Sequence, residues 1–202
     1  LACSIAAPGG AEIFGGTLAL HAEGEDYMAA DPIALPAIRP WRHYTVALVL
    51  RDANGAELET VRYKTGFRRF ALIDGVMRLN GERIYFNGVN RHEWNPAAGR
   101  AIGPEDMRRA IETFKAANIN AVRTCHYPNQ SLWYDLCDEA GIYMIDETNL
   151  ESHGTWQKRG AIDPDWNVPG SKPEWLACVL DRARSMFERD KNHAAVLLWS
   201  CG

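Results

Sequence analysis

Three short polar clusters, each preceded by a β-branched, apolar run and each separated from the next by an amphipathic stretch, restrict this chain to very few folds. The first is Asn90-Arg91-His92-Glu93, after Ile84-Tyr85-Phe86. The second is Arg123-Thr124-Cys125-His126, after Ile119-Asn120-Ala121-Val122. The third runs from Asp146 to His153, after Ile142-Tyr143-Met144-Ile145. Strand, polar tip and helix in repeated order is how successive units of a (β/α) barrel deliver functional groups to one face. A fourth apolar run, Ala194 to Trp199, follows before the sequence ends at Gly202.

Between the tips the apolar period is helical. Pro104, Glu105 and Asp106 open a helix whose Met107, Ala110, Ile111 and Phe114 share one face. Leu132, Trp133, Leu136, Cys137 and Ala140 form a second face, closed by Gly141. Ser171-Lys172-Pro173-Glu174 has the spacing of a capping box. It predicts a third helix with Leu176, Val179, Leu180, Ala183 and Phe187 inward and Arg182, Arg184, Glu188 and Arg189 outward. Strands and helices alternating from about residue 84 predict a parallel sheet. The fold class is therefore α/β, with four βα units making the first half of a (β/α)8 TIM barrel, a fold that needs roughly 250 residues in full.

Upstream the period is 2. Tyr44, Val46, Leu48 and Leu50 alternate with their neighbours, Asn54-Gly55 supplies a turn, and Leu58 to Tyr63 returns. That hairpin reads as the end of a β-sandwich, with Gly66 at its exit. A second hairpin pairs Val76–Leu79 with Arg83–Phe86 around Asn80-Gly81 and leads into the first barrel strand. Residues 1 to about 40, rich in Ala, Gly and Pro, carry no readable chemistry. Two domains result, 1–66 and 67–202, and because the chain opens at Leu1 its natural N-terminus is expected to lie further upstream.

Charge and cysteine usage exclude several functions. A net charge of −4 without a Lys/Arg stripe argues against a nucleic-acid partner. No apolar run approaches the roughly 18 residues that span a bilayer. The five cysteines are odd in number, scattered, and without a C-x-x-C pair, which predicts free thiols in a reducing, cytoplasmic compartment.

His92, His126, Asp146, Glu151 and His153 all fall at strand tips on this reading. A single His after a strand is more often structural than functional, and Asp146 and Glu147 could simply cap a loop. Three consecutive tips carrying His or carboxylate are much harder to attribute to chance.

Four segments then carry a resemblance. Gly88-Val89-Asn90-Arg91-His92-Glu93 is one, and Asn120-Ala121-Val122-Arg123 with His126-Tyr127-Pro128-Asn129 is another. Asp146-Glu147 with Glu151-Ser152-His153-Gly154 is the third, and Arg189-Asp190-Lys191-Asn192-His193 with Trp199-Ser200-Cys201-Gly202 is the fourth. Together they resemble glycoside hydrolase family 2, most closely its large β-galactosidases, over about two thirds of the chain. The resemblance implies that residues 1–66 end an immunoglobulin-like domain and that 67–202 begin the catalytic barrel. It implies retaining hydrolysis of β-galactosides, with β-glucuronidase or β-mannosidase as alternatives within the family.

Retaining glycosidases use two carboxyl groups about 5–5.5 Å apart. By resemblance the acid/base Glu lies two residues beyond Gly202 and the nucleophile on strand seven, so this chain alone is expected to show no turnover and to be a non-catalytic fragment. What the resemblance assigns here is the supporting set. His92 and His126 contact the galactosyl hydroxyls, Arg123 orients the nucleophile, and Asp146 lies near the sugar. Glu151 and His153 are two of three ligands to Mg²⁺, with a monovalent cation such as Na⁺ a further possibility in the full protein. Each has a plainer alternative. Arg123 could form a strand-end salt bridge, Asp146 a structural hydrogen bond, and Glu151 with His153 a hydrogen-bonded pair without an ion, since magnesium prefers oxygen ligands. Glu147 and His193 are read as structural, Trp156 and Trp166 as loop anchors, and His21 and His43 have no readable role. A β-galactoside substrate and a homo-oligomeric full-length protein complete the expectations.

Overall fold

The computed structural model describes residues 1–36, 42–153 and 168–202, in two units, Leu1–Arg83 and Ile84–Gly202. The first unit is antiparallel β. Strands β1 (Ala2–Ala6), β2 (Glu12–Thr17), β5 (Tyr44–Arg51) and β6 (Glu57–Thr65) form one sheet in the order β2-β1-β5-β6. Strands β3 (His21–Glu23) and β4 (Asp26–Met28) pair with each other. Strands β7 (Phe70–Ile73), β8 (Val76–Leu79) and β9 (Glu82–Arg83) make a third sheet.

The alternation read in β5 is real burial in its first half only: Tyr44 and Val46 join Cys3 and Ile5 in a small core, with Ile5 opposite Val46 in register, whereas residues 47–50 are all half-buried. Its turn closes as the dipeptide predicts. The Asp52 carboxylate accepts from the Asn54 and Ala56 N–H groups at 2.9 and 2.8 Å, and Gly55 takes the left-handed conformation. The second hairpin is shorter than expected. It turns through left-handed Asn80 and Gly81, but its return strand stops at Arg83.

In the second unit Tyr85 and the residues after it are drawn elsewhere. Asn120 accepts from the Asn87 N–H at 2.8 Å and donates to the Tyr85 carbonyl at 2.8 Å, while the Asn87 side chain donates to the Asn118 carbonyl at 2.6 Å. This lays the segment beside the next strand and starts β10 at Gly88. The three-stranded sheet thus groups with the first unit, where a division at 66/67 gives it to the barrel half.

Four strands, β10 (Gly88–Arg91), β11 (Ala121–Thr124), β12 (Tyr143–Glu147) and β13 (Val196–Ser200), lie side by side in sequence order, each parallel to the next. Helices α1 (Pro104–Ala116), α2 (Ser131–Ala140) and α3 (Leu176–Asp190) connect them. Each strand starts later than its apolar run. Ile119 and Ile142 instead close the preceding helices, donating to the Phe114 and Cys137 carbonyls at 2.8 and 3.0 Å after left-handed Asn118 and Gly141. Asn90, Arg91, Arg123 and Asp146 consequently sit inside strands, not beyond them.

Val122, Met144 and Val196, with half-buried Val89, pack against Met107, Phe114, Trp133, Leu136 and Cys137 of α1 and α2. That fixes one face of the sheet as the helix face. The third helix departs from its expected form. Pro173–Trp175 is a 3-10 turn without a side-chain cap, and the α-helix begins at Leu176. Leu176, Leu180 and Phe187 are exposed, whereas Met186 and Asp190 are buried. The helix is rotated because Arg182, expected outside, donates to the Asn149 carbonyl at 2.9 Å, and Asp190 joins a polar network behind β12.

Candidate active site

Adjacent residues of a strand face opposite sides of the sheet, and this sorts the polar residues into two networks. In register Asn90 lies beside Arg123, Arg123 beside Ile145, and Glu147 beside Ser200, all on the face away from the helices. Arg91, Thr124 and Asp146 fall on the helix face.

Glu147 is the hub of the open face, although its side chain is fully buried. Its carboxylate accepts from Arg123 Nε at 2.6 Å and Nη2 at 2.8 Å, a bidentate ion pair. It also accepts from Ser200 Oγ at 2.7 Å and lies 2.8 Å from His126 Nδ1. Burial acts to raise the Glu147 pKa, but the Arg123 guanidinium, the Ser200 hydroxyl and His126 outweigh it and hold the carboxyl below its usual value. The same hydrogen bonds to Glu147 raise the Arg123 pKa. Because Glu147 takes Nδ1, the Nε2 edge of His126 is left facing Glu151, 3.6 Å from Glu151 Oε2. Glu151 Oε1 in turn meets His153 Nδ1 at 2.6 Å and the His153 N–H at 3.1 Å.

His92 reaches the same face by a local device. Its neighbours Arg91 and Glu93 are buried on the helix side. Arg91 stacks 3.7 Å from the Trp133 ring centre and donates to Asn129. The Glu93 carboxylate accepts from the Gln130 N–H at 3.0 Å. With both flanks turned inward, His92 points out, and its ring centre lies 5.5 Å from that of His126. Beside it His92, Glu93, Trp94, Arg100 and Tyr127 line a hollow of about 290 Å³. The Trp94 ring is exposed there.

The structure therefore brings His92, Arg123, His126, Glu151 and His153 together. It does not bring Asp146 to them. Asp146 Oδ1 accepts from Tyr134 Oη at 2.7 Å and Thr124 Oγ1 at 3.2 Å, fully buried on the helix face. Burial pushes its carboxyl up to about 7, with the Asp190 carboxylate adding to the rise and the two hydroxyls opposing it. Asp190 itself holds Arg189 through a bidentate pair at 2.7 and 2.8 Å. His193 Nδ1 contacts Asp138 Oδ2 at 2.7 Å on its structural side of the strand. Trp156 and Trp166 lie outside the described residues.

Glu147 is the residue that sequence reasoning passed over. Its signal was available: Arg123 and Glu147 share a face once β11 and β12 are aligned, two positions on from the Arg123–Ile145 pair. For Mg²⁺ the fit of the present residues is partial. One carboxylate and one imidazole, hydrogen-bonded to each other, offer a single oxygen-donor group where the ion needs about six ligands.

The sequence profile described as glycosyl hydrolases family 2, TIM barrel domain, matches residues 70–202. The chain belongs to this family. Among its relatives, a protein of Halalkalibacterium halodurans named β-galactosidase is 56% identical over 175 residues, 87% of this chain and 17% of the relative. One of Lactobacillus acidophilus named β-galactosidase large subunit is 56% identical over 160 residues, 79% of this chain and 26% of the relative. The chain thus spans about a fifth of the length of the curated relatives it matches. A solved structure, the Bifidobacterium dentium β-glucuronidase complexed with coumarin-3-O-glucuronide, superposes with a TM-score of 0.85 at 26% identity. It covers 100% of this chain and 31% of that structure.

Proposed function

We propose that the protein containing this chain is a retaining β-galactosidase that releases terminal β-D-galactose from galactosides such as lactose. The observation that carries the reading is the shared open-face cluster, in which His92 and His126 stand edge to face beside the half-buried Arg123 and its buried partner Glu147. The relatives named β-galactosidase are 56% identical, against 26% for the glucuronidase, and this favours galactoside over glucuronide.

In this account Glu147 fixes the His126 ring with Nδ1 toward the carboxylate, so that Nε2 is the atom offered to a sugar hydroxyl. His92 supplies a second imidazole beside it, and the Trp94 face provides an apolar surface for sugar C–H groups. Arg123, held by Glu147 through Nε and Nη2, directs its remaining Nη1 edge past Asn90 (3.4 Å), where it can orient a nucleophilic carboxylate from a later strand. These donors act most strongly as charge develops in the transition state. Glu151 and His153 would hold Mg²⁺ when a further oxygen ligand is present, and the ion would supply positive charge beside the acid/base. Residues 1–66 are read as the end of an immunoglobulin-like domain, and a cytoplasmic homo-oligomer is the expected setting.

The test is hydrolysis by the full-length protein of nitrophenyl β-galactoside, β-glucuronide and β-mannoside. The galactoside is expected to react at least a hundredfold faster in kcat/KM. A glucuronide preference would overturn the reading.

A further inference from the structure

Among the described residues, one group of potential metal donors is made of residues other than Glu151 and His153, although its His126 lies 3.6 Å from Glu151. The donor atoms of His92, Cys125 and His126 lie within 4.8 Å of one another. They come from the tips of two neighbouring strands, β10 and β11, whose register is fixed by parallel pairing from Gly88–Ala121 to Arg91–Thr124. Two imidazoles and a thiol form a soft-to-borderline set, which suits Zn²⁺ and is foreign to magnesium.

Two further features fit a cation here. His126 Nδ1 lies 2.8 Å from the buried Glu147 carboxylate, and in the tautomer that donates Nδ1–H to it Nε2 carries the lone pair a metal needs. A carboxylate behind a histidine is the arrangement that orients and strengthens histidine ligands to zinc. His92 is exposed, so an ion has an approach from solvent. The Cys125 thiol, whose Sγ lies 3.5 Å from the Arg91 carbonyl, is buried just beneath it.

We propose that His92, Cys125 and His126 form a binding site for Zn²⁺, with three protein ligands and an open fourth position. On binding, the Cys125 thiol gives its proton to solvent and the thiolate joins the metal, with no change in oxidation state. The ion occupies the ground assigned above to sugar hydroxyls, so zinc acts as an inhibitor competitive with substrate; this last consequence rests on the galactosidase reading, whereas the site itself does not.

The test is titration of this chain with Zn²⁺ alone, and with Co²⁺ as a spectroscopic substitute. One ion is expected per chain, with release of a proton and, for cobalt, a thiolate-to-metal charge-transfer band. Cys125→Ser is expected to remove the band, and Cys178→Ser or Cys201→Ser to leave it. His92→Ala, an exposed position whose loss leaves the core intact, is expected to weaken zinc binding at least tenfold. A band that survives Cys125→Ser, or zinc affinity unchanged by His92→Ala, overturns the site. In the full-length enzyme zinc should raise KM for nitrophenyl β-galactoside with kcat unchanged. Zinc binding with the expected variant pattern but without competition would refute the sugar-contact roles of His92 and His126 and leave the cation site standing.

Discussion

Replacing Glu147 by Gln keeps the shape of the hub and removes its charge. Arg123 then keeps one oxygen of its bidentate partner and loses the other, and in either amide orientation one Arg123 N–H, together with His126 or Ser200, must face an N–H₂ in place of an acceptor. Breaking a buried ion pair costs about 3–5 kcal/mol. The Arg123 side chain is 32% exposed, so water re-solvates part of it and the cost is reduced to about 2 kcal/mol. The two units need not unfold together, so a local probe is required. Amide hydrogen exchange serves: protection across β11 and β12 should fall about 30-fold, with β5 and β6 unchanged as the internal reference.

The pH dependence has a definite sign. The Glu147 carboxyl is held below its usual value of 4.5 in the folded chain. Its contribution is therefore complete above that pH and is lost as pH falls through the lower, folded value. The difference between wild type and variant should be constant near neutrality and shrink in acid. Equal protection of β11 and β12 in the two proteins at neutral pH would refute the hub.

Asp146→Asn should have the opposite character. With a folded pKa of about 7 against a usual 3.8, Asp146 stays protonated while the unfolded chain ionises, so stability falls as pH rises from 3.8 to 7. The variant should abolish that slope and be more stable at pH 8 by up to about 4 kcal/mol; urea midpoints that fall equally with pH in both proteins would count against it. Gly88→Ala places a Cβ 3.2 Å from the Ala121 Cβ and carbonyl oxygen. It should loosen β10 against β11 at a cost of about 1 kcal/mol, read as faster exchange at Val122 and Thr124; unchanged exchange there would show that the strands yield freely.

The barrel order was legible because each unit states its own period and its own stop. Pro104 and Gly141 mark helix ends on helices that run Pro104–Ala116 and Ser131–Ala140. The strand starts were not legible, since Ile119 and Ile142 are β-branched and apolar yet serve the helix ends. Of the site, the histidines were visible as types at tips. The division between Asp146 and Glu147 was not, because it depends on which of two adjacent carboxylates the pleat turns toward the helices, and the late start of β12 decides that. The face of α3 failed for a related reason: an apolar count favours Leu176, Leu180 and Phe187, while the Arg182 bond to the Asn149 carbonyl and the burial of Asp190 accompany the opposite rotation.

The central claim is that the open face formed by β10 to β12 holds sugar through imidazoles that no core packing requires. His92 tests it most directly, because it is exposed and its removal spares the Glu147 hub. In the full-length protein, on the proposed galactosidase function, His92→Ala should lower kcat/KM for nitrophenyl β-galactoside by about 10²–10³, with the fold and thermal midpoint unchanged. A variant within twofold of wild type would contradict the account.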